Sequence, residues 1–212
     1  MTSQTDTSTQ KLLNNVYSVD TDVYDDFAGE HAMVLYYRMC NFKCIYCHNK
    51  ELWSANSKDC KPASYFIDKH NDGLHTAVVF SGGEATIHPV WKDIKYAKEL
   101  GLKTKLFTNW ARPSEIAKCL PYLDAISLDI KFLTNSEIVG VYVNPETYKY
   151  SLYNVLTNIA NAKNKICVDL RILEWKSITD KERSDLRDYL QYMALSFKDK
   201  LSITTYIQEE RA

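Results

Sequence analysis

The sequence predicts an α/β fold, a parallel sheet covered by helices in roughly a (βα)₆ arrangement. Three observations carry that expectation. Apolar segments of strand length alternate with segments whose apolar residues recur at helical spacing. No internal repeat and no Pro/Gly/Ser-rich linker interrupts the alternation. The 212 residues, 45% hydrophobic and 25% charged, fit one soluble domain of ordinary size.

Residues 1 to about 10 are polar and low in complexity and read as a tail. Residues 11–30, with Asp20, Asp22, Asp25 and Asp26, read as a solvated lead-in, the alternative being an acidic docking arm. The folded domain is accordingly placed at 31–212. Six strands follow: Ala32 to Arg38, Thr76 to Ser81, Lys103 to Asn109, Ala125 to Lys131, Ile166 to Leu173 and Leu201 to Gln208. Pro62 to His70 and Pro113 to Leu120 read as short connecting helices. Val90, Trp91, Ile94, Ala97 and Leu100 form a longer apolar stripe, with Pro89 suited to the first helical position and Gly101 to the C-terminal cap. Tyr148, Leu152, Val155, Leu156 and Ile159 form a second stripe. Thr179 and Glu182 have capping-box spacing ahead of Leu186, Tyr189, Leu190 and Met193. Six such units could build an open sheet or an incomplete barrel, and in either the active site belongs at the C-terminal strand ends.

Composition removes several function classes. Lys+Arg is 26 and Asp+Glu 27, so the basic excess that drives general nucleic-acid binding is absent. The N-terminus has no basic n-region or apolar h-region, and no stretch approaches the roughly 20 apolar residues of a spanning helix. A cytoplasmic protein that binds neither membrane nor nucleic acid is the expectation.

Cysteine placement supplies the chemistry. Cys40, Cys44 and Cys47 crowd onto one short loop directly after the first strand, whereas Cys60, Cys119 and Cys167 stand alone and read as small buried hydrophobes. Three thiolates on such a loop can hold three irons of a [4Fe–4S] cluster and leave the fourth open to an exogenous molecule. Zinc with His48 as fourth ligand is the main alternative, and Cys-x-x-Cys-His as a c-type haem site lacks an export context.

Cys-x-x-x-Cys-x-x-Cys with aromatic Tyr46 before the last cysteine resembles the signature of radical S-adenosylmethionine (radical SAM) enzymes. The resemblance implies a partial (βα)₆ barrel and a cluster whose open iron is chelated by the methionine end of S-adenosylmethionine. Ser81-Gly82-Gly83-Glu84 after the second strand is similar to the family's Gly-Gly-Glu motif, which binds the methionine amino group; a lone Gly-Gly would be a tight turn. Thr108-Asn109 and Asp129-Ile130-Lys131 resemble segments near the cofactor in glycyl-radical-enzyme activases, although Asp129 and Lys131 alone would read as a surface pair. Arg171 matches a cofactor-neighbouring arginine, against a core-edge salt bridge. Tyr46-Cys47-His48-Asn49, followed by an acidic, apolar and aromatic stretch, looks like pyruvate formate-lyase activating enzyme and, more so, the anaerobic ribonucleoside-triphosphate reductase activating protein.

The resemblance spans about 31–208. It puts Cys40, Cys44 and Cys47 on the cluster, and Tyr46, His48, Asn49, the Ser81–Glu84 motif, Thr108, Asn109, Asp129, Lys131 and Arg171 around S-adenosylmethionine, with no side chain acting as acid or base. It implies a flavodoxin- or ferredoxin-type reductant, a 5′-deoxyadenosyl radical and a glycyl radical enzyme as protein substrate. The alternatives are a small-molecule radical enzyme of the carboxy-deazaguanine synthase kind and a noncatalytic iron–sulfur or zinc module. Departures are Met39 where relatives place glycine, Phe107 where many carry the aspartate of a monovalent-cation site, Ala85-Thr86 where a proline is common, and Glu174-Trp175-Lys176 in place of a Pro-Gly turn.

Overall fold

A computed structural model describes residues 13–174 and 178–209; the predicted tail and the Trp175-Lys176 part of the rim lie outside them. Among the described residues seven strands form one sheet in strictly sequential order. These are β1 (Val16–Val23), β2 (Ala32–Tyr37), β3 (Ala77–Gly82), β4 (Lys103–Thr108), β5 (Ala125–Ile130), β6 (Cys167–Glu174) and β7 (Ile203–Glu209). From β2 to β7 every pairing is parallel. The helices are α1 (Ala63–His70), α2 (Trp91–Glu99), α3 (Pro113–Cys119), α4 (Pro145–Ala160) and α5 (Asp180–Phe197). Sequential order with parallel pairing carries each strand back beside its predecessor through a crossover, and the unclosed sheet is a partial barrel. No helix among the described residues is long and apolar enough to cross a membrane.

All six predicted strands are present to within about two residues. The seventh, β1, corrects the solvated lead-in: it pairs antiparallel with β2 from Val16↔Tyr37 to Val23↔Ala32 through two irregularities. Its pattern is hard to read because it is an edge strand in which Val16 alone is fully buried, and the register shifts break the period of two that marks a strand.

Alternation within the strands divides the two faces. Met33, Leu35, Val78, Phe80, Leu106, Ile126, Leu128, Val168 and Leu170 face the helices in the large core. The concave face holds a smaller apolar floor of Ala32, Val34, Ala77 and Val79, packed by Val23, Phe27, Tyr36 and Phe107. Above that floor it becomes polar: Lys105 Nζ lies 2.5 Å from Asp169 Oδ2, which also accepts from Ser127 Oγ at 3.0 Å.

Two of the predicted caps act as expected. Thr179 and Glu182 form the reciprocal capping box of α5. After α2, Gly101 N–H bonds Lys98 O and Leu102 N–H bonds Ala97 O, the paired bonds of a Schellman end. Pro89 sits in the turn before α2, where its carbonyl accepts from Lys92 N–H at 3.1 Å, rather than at the first helical position. Leu100 is 40% exposed instead of core-facing. Cys60 and Cys119 are buried as expected, but Cys167, at the start of β6, is exposed.

Candidate active site

The C-terminal ends of β2 to β6 surround one cavity of about 390 Å³. Every predicted site residue lines it: the three cysteines with Tyr46, His48 and Asn49; Ser81 to Glu84; Thr108 and Asn109; and Asp129, Lys131 and Arg171. Sequence reasoning does not assign Tyr36, Phe42, Ile130 and Ile172 to it, nor give a site role to Trp53 or Phe107, which also line it. Each of these except Trp53 lies on, or within five residues of, the end of a strand, and that position is the available signal.

The cysteine loop turns at Ile45-Tyr46, where Cys47 N–H bonds Cys44 O at 3.0 Å, and its residues alternate in burial. Phe42, Cys44 and Tyr46 are buried inward while Lys43 and Ile45 face out. Its backbone is braced by a 3₁₀ turn at Ser136–Val139: Lys43 N–H bonds Val139 O at 2.7 Å and Ile45 N–H bonds Ile138 O at 3.0 Å. Tyr46 Oη donates to Lys131 O at 3.1 Å and so ties the loop to the end of β5. Asn109 Nδ2 donates to Asn41 Oδ1 at 2.9 Å, tying it to β4. Beneath the loop Tyr148 stacks between Trp110 and Phe132, with centroids at 4.5 and 4.4 Å.

The glycine pair answers to the cysteine loop's backbone. A Cβ on Gly83 would stand 1.8 Å from Met39 O, and one on Gly82 2.2 Å from Tyr37 N. Two bonds seal the contact, Gly83 N–H to Tyr37 O and Glu84 N–H to Met39 O, both 2.9 Å. Met39 itself has φ +64. This left-handed conformation favours glycine, which gives a physical reason for the glycine that relatives place there.

Glu84 is buried and fully engaged. Its Oε1 accepts from Thr86 N–H at 3.2 Å, Thr86 Oγ1 at 2.5 Å and Thr108 Oγ1 at 2.7 Å, and its Oε2 accepts from Asn109 N–H at 2.8 Å. Burial pushes its carboxyl above the usual range, and these bonds oppose that shift. Glu84 thus clips the end of β3 to the end of β4, and Oε2 holds one of these donors where Oε1 holds three.

Charge gathers at β5 and β6. Asp129 Oδ2 lies 3.0 Å from Lys131 Nζ, and Asp129 Oδ1 lies 3.5 Å from Arg171 Nε. Burial works against the Asp129 carboxylate, but Lys131 and Arg171 outweigh it and hold its pKa below the ordinary value. Lys131 is raised because Asp129 overcomes the opposing effect of burial. The Arg171 guanidinium stacks 4.8 Å from the Phe107 ring, which Lys105 Nζ approaches at 5.0 Å. Two cations therefore lie against the ring of Phe107, the residue that stands where many relatives carry aspartate.

Donor chemistry and space fit an iron–sulfur centre. Cys40, Cys44 and Cys47 are free thiols opening on one cavity. Burial pushes the Cys40 thiol up to about 12 and raises that of Cys44, so burial disfavours both thiolates and metal binding would have to overcome it. No group of three or more His, Cys, Asp or Glu among the described residues is gathered to hold a single ion. A cluster takes one thiolate per iron, whereas zinc converges all its ligands on one ion.

A model of the radical SAM superfamily matches residues 34–190. A protein of Methanocaldococcus jannaschii bearing the name of a glycyl-radical enzyme activating enzyme is 28% identical over 170 residues, 77% of this chain and 68% of its own. The pyruvate formate-lyase-activating enzyme of Clostridium pasteurianum is 26% identical over 128 residues, 57% of this chain and 53% of its own. The chain thus spans about half the length of that relative. Among solved structures, SuiB of Streptococcus suis bound to precursor peptide SuiA has a TM-score of 0.51 at 17% identity, covering 82% of this chain and 48% of that one. TYW1 with a lysine-pyruvate adduct bound has a TM-score of 0.51 at 14% identity, covering 85% and 67%. At those identities the likeness is one of fold.

Proposed function

The chain belongs to the radical SAM superfamily, and on that footing we propose that it installs a glycyl radical on a partner enzyme, with an anaerobic ribonucleotide reductase as the preferred target. The observation that carries the reading is the single cavity in which three free cysteines meet the Gly-Gly-Glu turn and the Asp129, Lys131 and Arg171 charges. The two curated relatives bear activating-enzyme names, which supports the protein-substrate class over a small molecule.

When bound, a reduced [4Fe–4S] cluster supplies the electron that cleaves S-adenosylmethionine to methionine and the 5′-deoxyadenosyl radical. The chain's own residues hold and enclose. Cys40, Cys44 and Cys47 would ligate three irons. The backbone of Ser81 to Gly83 and the Oε2 of Glu84 would receive an ammonium group, and Arg171 and Lys131 a carboxylate. Asp129 keeps both cations fixed, so the ligand meets charges already oriented. Phe42, Tyr46, Trp53 and Phe107 line the walls with aromatic surface that displaces water from the space where a radical must survive. No side chain needs to move a proton.

Electron paramagnetic resonance on the partner tests this. Reconstituted protein, S-adenosylmethionine, a reductant and anaerobic ribonucleotide reductase should give a glycyl-radical doublet that disappears when the target glycine is replaced by alanine. A doublet on pyruvate formate-lyase alone would move the target within the class. Cleavage of S-adenosylmethionine without a radical on either partner would overturn the activase reading and leave the superfamily assignment intact.

A further inference from the structure

The arginines divide by partner. Arg171, Arg183 and Arg187 each reach a carboxylate, at 3.5, 3.1 and 2.7 Å. Arg38 and Arg112 form no ion pair among the described residues. Arg38 is half-buried, its Nε has no hydrogen-bond partner, and its Nη1 meets the Met39 sulfur at 3.3 Å, a weak acceptor. A guanidinium taken partly out of water without strong acceptors is costly.

Both of these arginines bear on His88. His88 Nε2 lies 2.8 Å from Arg38 O; a carbonyl only accepts, so Nε2 carries the proton and Nδ1 of the neutral ring has none. His88 caps the end of the 3₁₀ turn Ala85–Ile87, Arg112 caps the start of α3, and that turn packs on that helix. Burial lowers the His88 pKa and the Arg38 carbonyl opposes it, while the charges of Arg38 and Arg112 lower it further. The acids around the trio are committed elsewhere. Glu115, three residues after Arg112, pairs with Lys118 at 2.7 Å. Asp93 accepts from Tyr37 Oη at 2.6 Å, and the Tyr37 ring lies between it and the rest of the chain, 5.9 Å from His88. Asp59 shares the neighbour Cys60 with Arg38, and Lys58 and Lys61 flank it in the chain.

We infer that Arg38, His88 and Arg112 form a binding site for a phosphate group, free or carried by a nucleotide, outside the cavity, which none of the three lines. Guanidinium forks match phosphate oxygens, and a dianion supplies charge and acceptors for both arginines at once. A single carboxylate has charge and oxygens for one. The anion offsets the two positive charges beside His88, so the ring can take a proton on Nδ1 and add a third donor. Arg38 stands immediately before Met39, its N–H bonded to Asn15 O at 2.9 Å and its carbonyl to His88, so the ligand is held by a backbone already fixed from two sides. The site depends neither on the cluster nor on the activase reading.

Calorimetric titration of the reconstituted full chain at low salt, with inorganic phosphate, ATP and acetate as separate titrants, tests the site. Phosphate should bind once per chain and acetate not detectably. Arg112→Gln, at an exposed position, should weaken the phosphate Kd about tenfold, and R38Q/R112Q should abolish binding. Magnetic resonance of the His88 ring adds a readout that a purely structural role would not move: its titration midpoint should rise with phosphate in the wild type and stay fixed in the double variant. Should the double variant fail to fold, Arg112→Gln with an unchanged thermal midpoint carries the comparison alone. ATP binding about tenfold tighter than phosphate assigns the group to a nucleotide, and equal affinity assigns it to the free anion. No binding of either, acetate binding as tightly as phosphate, or a phosphate Kd unchanged in Arg112→Gln would overturn the site.

Discussion

The two halves of the cavity are built on different principles. On the β2 to β4 side the buried polar groups Glu84, Thr108 and Asn109 are committed to other parts of the chain: Glu84 accepts four bonds, Asn109 reaches Asn41, and the glycine pair is pressed on the backbone of Tyr37 and Met39. On the β5 and β6 side Asp129, Lys131 and Arg171 are committed mainly to one another, with side chains between about a fifth and a quarter exposed to solvent. The first half is a frame whose contacts set shape. The second is a set of charges that can exchange partners when a ligand arrives. Damage to the frame should therefore appear as lost stability and lost cluster incorporation, and damage to the charges as lost ligand affinity.

The largest effect should come from Gly83→Ala. Its Cβ would stand 1.8 Å from Met39 O, a backbone atom that cannot move without moving the cysteine loop. Chemical denaturation should show a loss of about 3 kcal/mol or more, with iron incorporation falling in parallel. A stable variant with a full iron content would break the frame half of the comparison. Glu84→Gln comes next: an amide nitrogen cannot accept, so at least one of the Thr86, Thr108 and Asn109 donors loses its partner, at a cost of about 1–3 kcal/mol.

Asp129→Asn should sharpen the contrast. Partial exposure screens the lost pairing to about 1 kcal/mol of stability, while affinity for S-adenosylmethionine, read by calorimetry on the reconstituted protein, should fall about tenfold as Lys131 and Arg171 lose their shared anchor. A large stability loss with unchanged affinity would assign Asp129 to the frame. The smallest effect is Met39→Gly, which relieves the left-handed backbone at φ +64 and should stabilise the protein by about 0.5–1 kcal/mol.

Legibility in the sequence follows the same division. Strands β2 to β7 are readable because each is a short segment with apolar or β-branched residues bounded by helices or turns, and β1 escapes because an exposed, irregular edge strand carries no regular alternation. The cysteine spacing and the Gly-Gly-Glu string are local motifs, so the string of residues alone is enough to name them. Their reasons are less visible. In sequence the glycines read as admitting a ligand, yet they first admit the backbone of Tyr37 and Met39, a contact across about forty residues of chain. Likewise Glu84 reads as a ligand group in sequence, and the structure adds a second role as a clip between two strands, because its partners Thr108 and Asn109 meet it only through the parallel pairing of β3 with β4. Cys167 reads as a small apolar core residue, but it stands exposed at the start of β6, and nothing in its own segment signals that.

One measurement bears most directly on the claim that this cavity holds a cluster with an open iron for S-adenosylmethionine. After anaerobic reconstitution with iron and sulfide, dithionite reduction and addition of S-adenosylmethionine, chromatography should detect 5′-deoxyadenosine from the wild-type chain and none from Cys44→Ala. A four-iron cluster that forms without any cleavage in the presence of the partner enzyme, or zinc as the sole metal that the three cysteines retain, would contradict it.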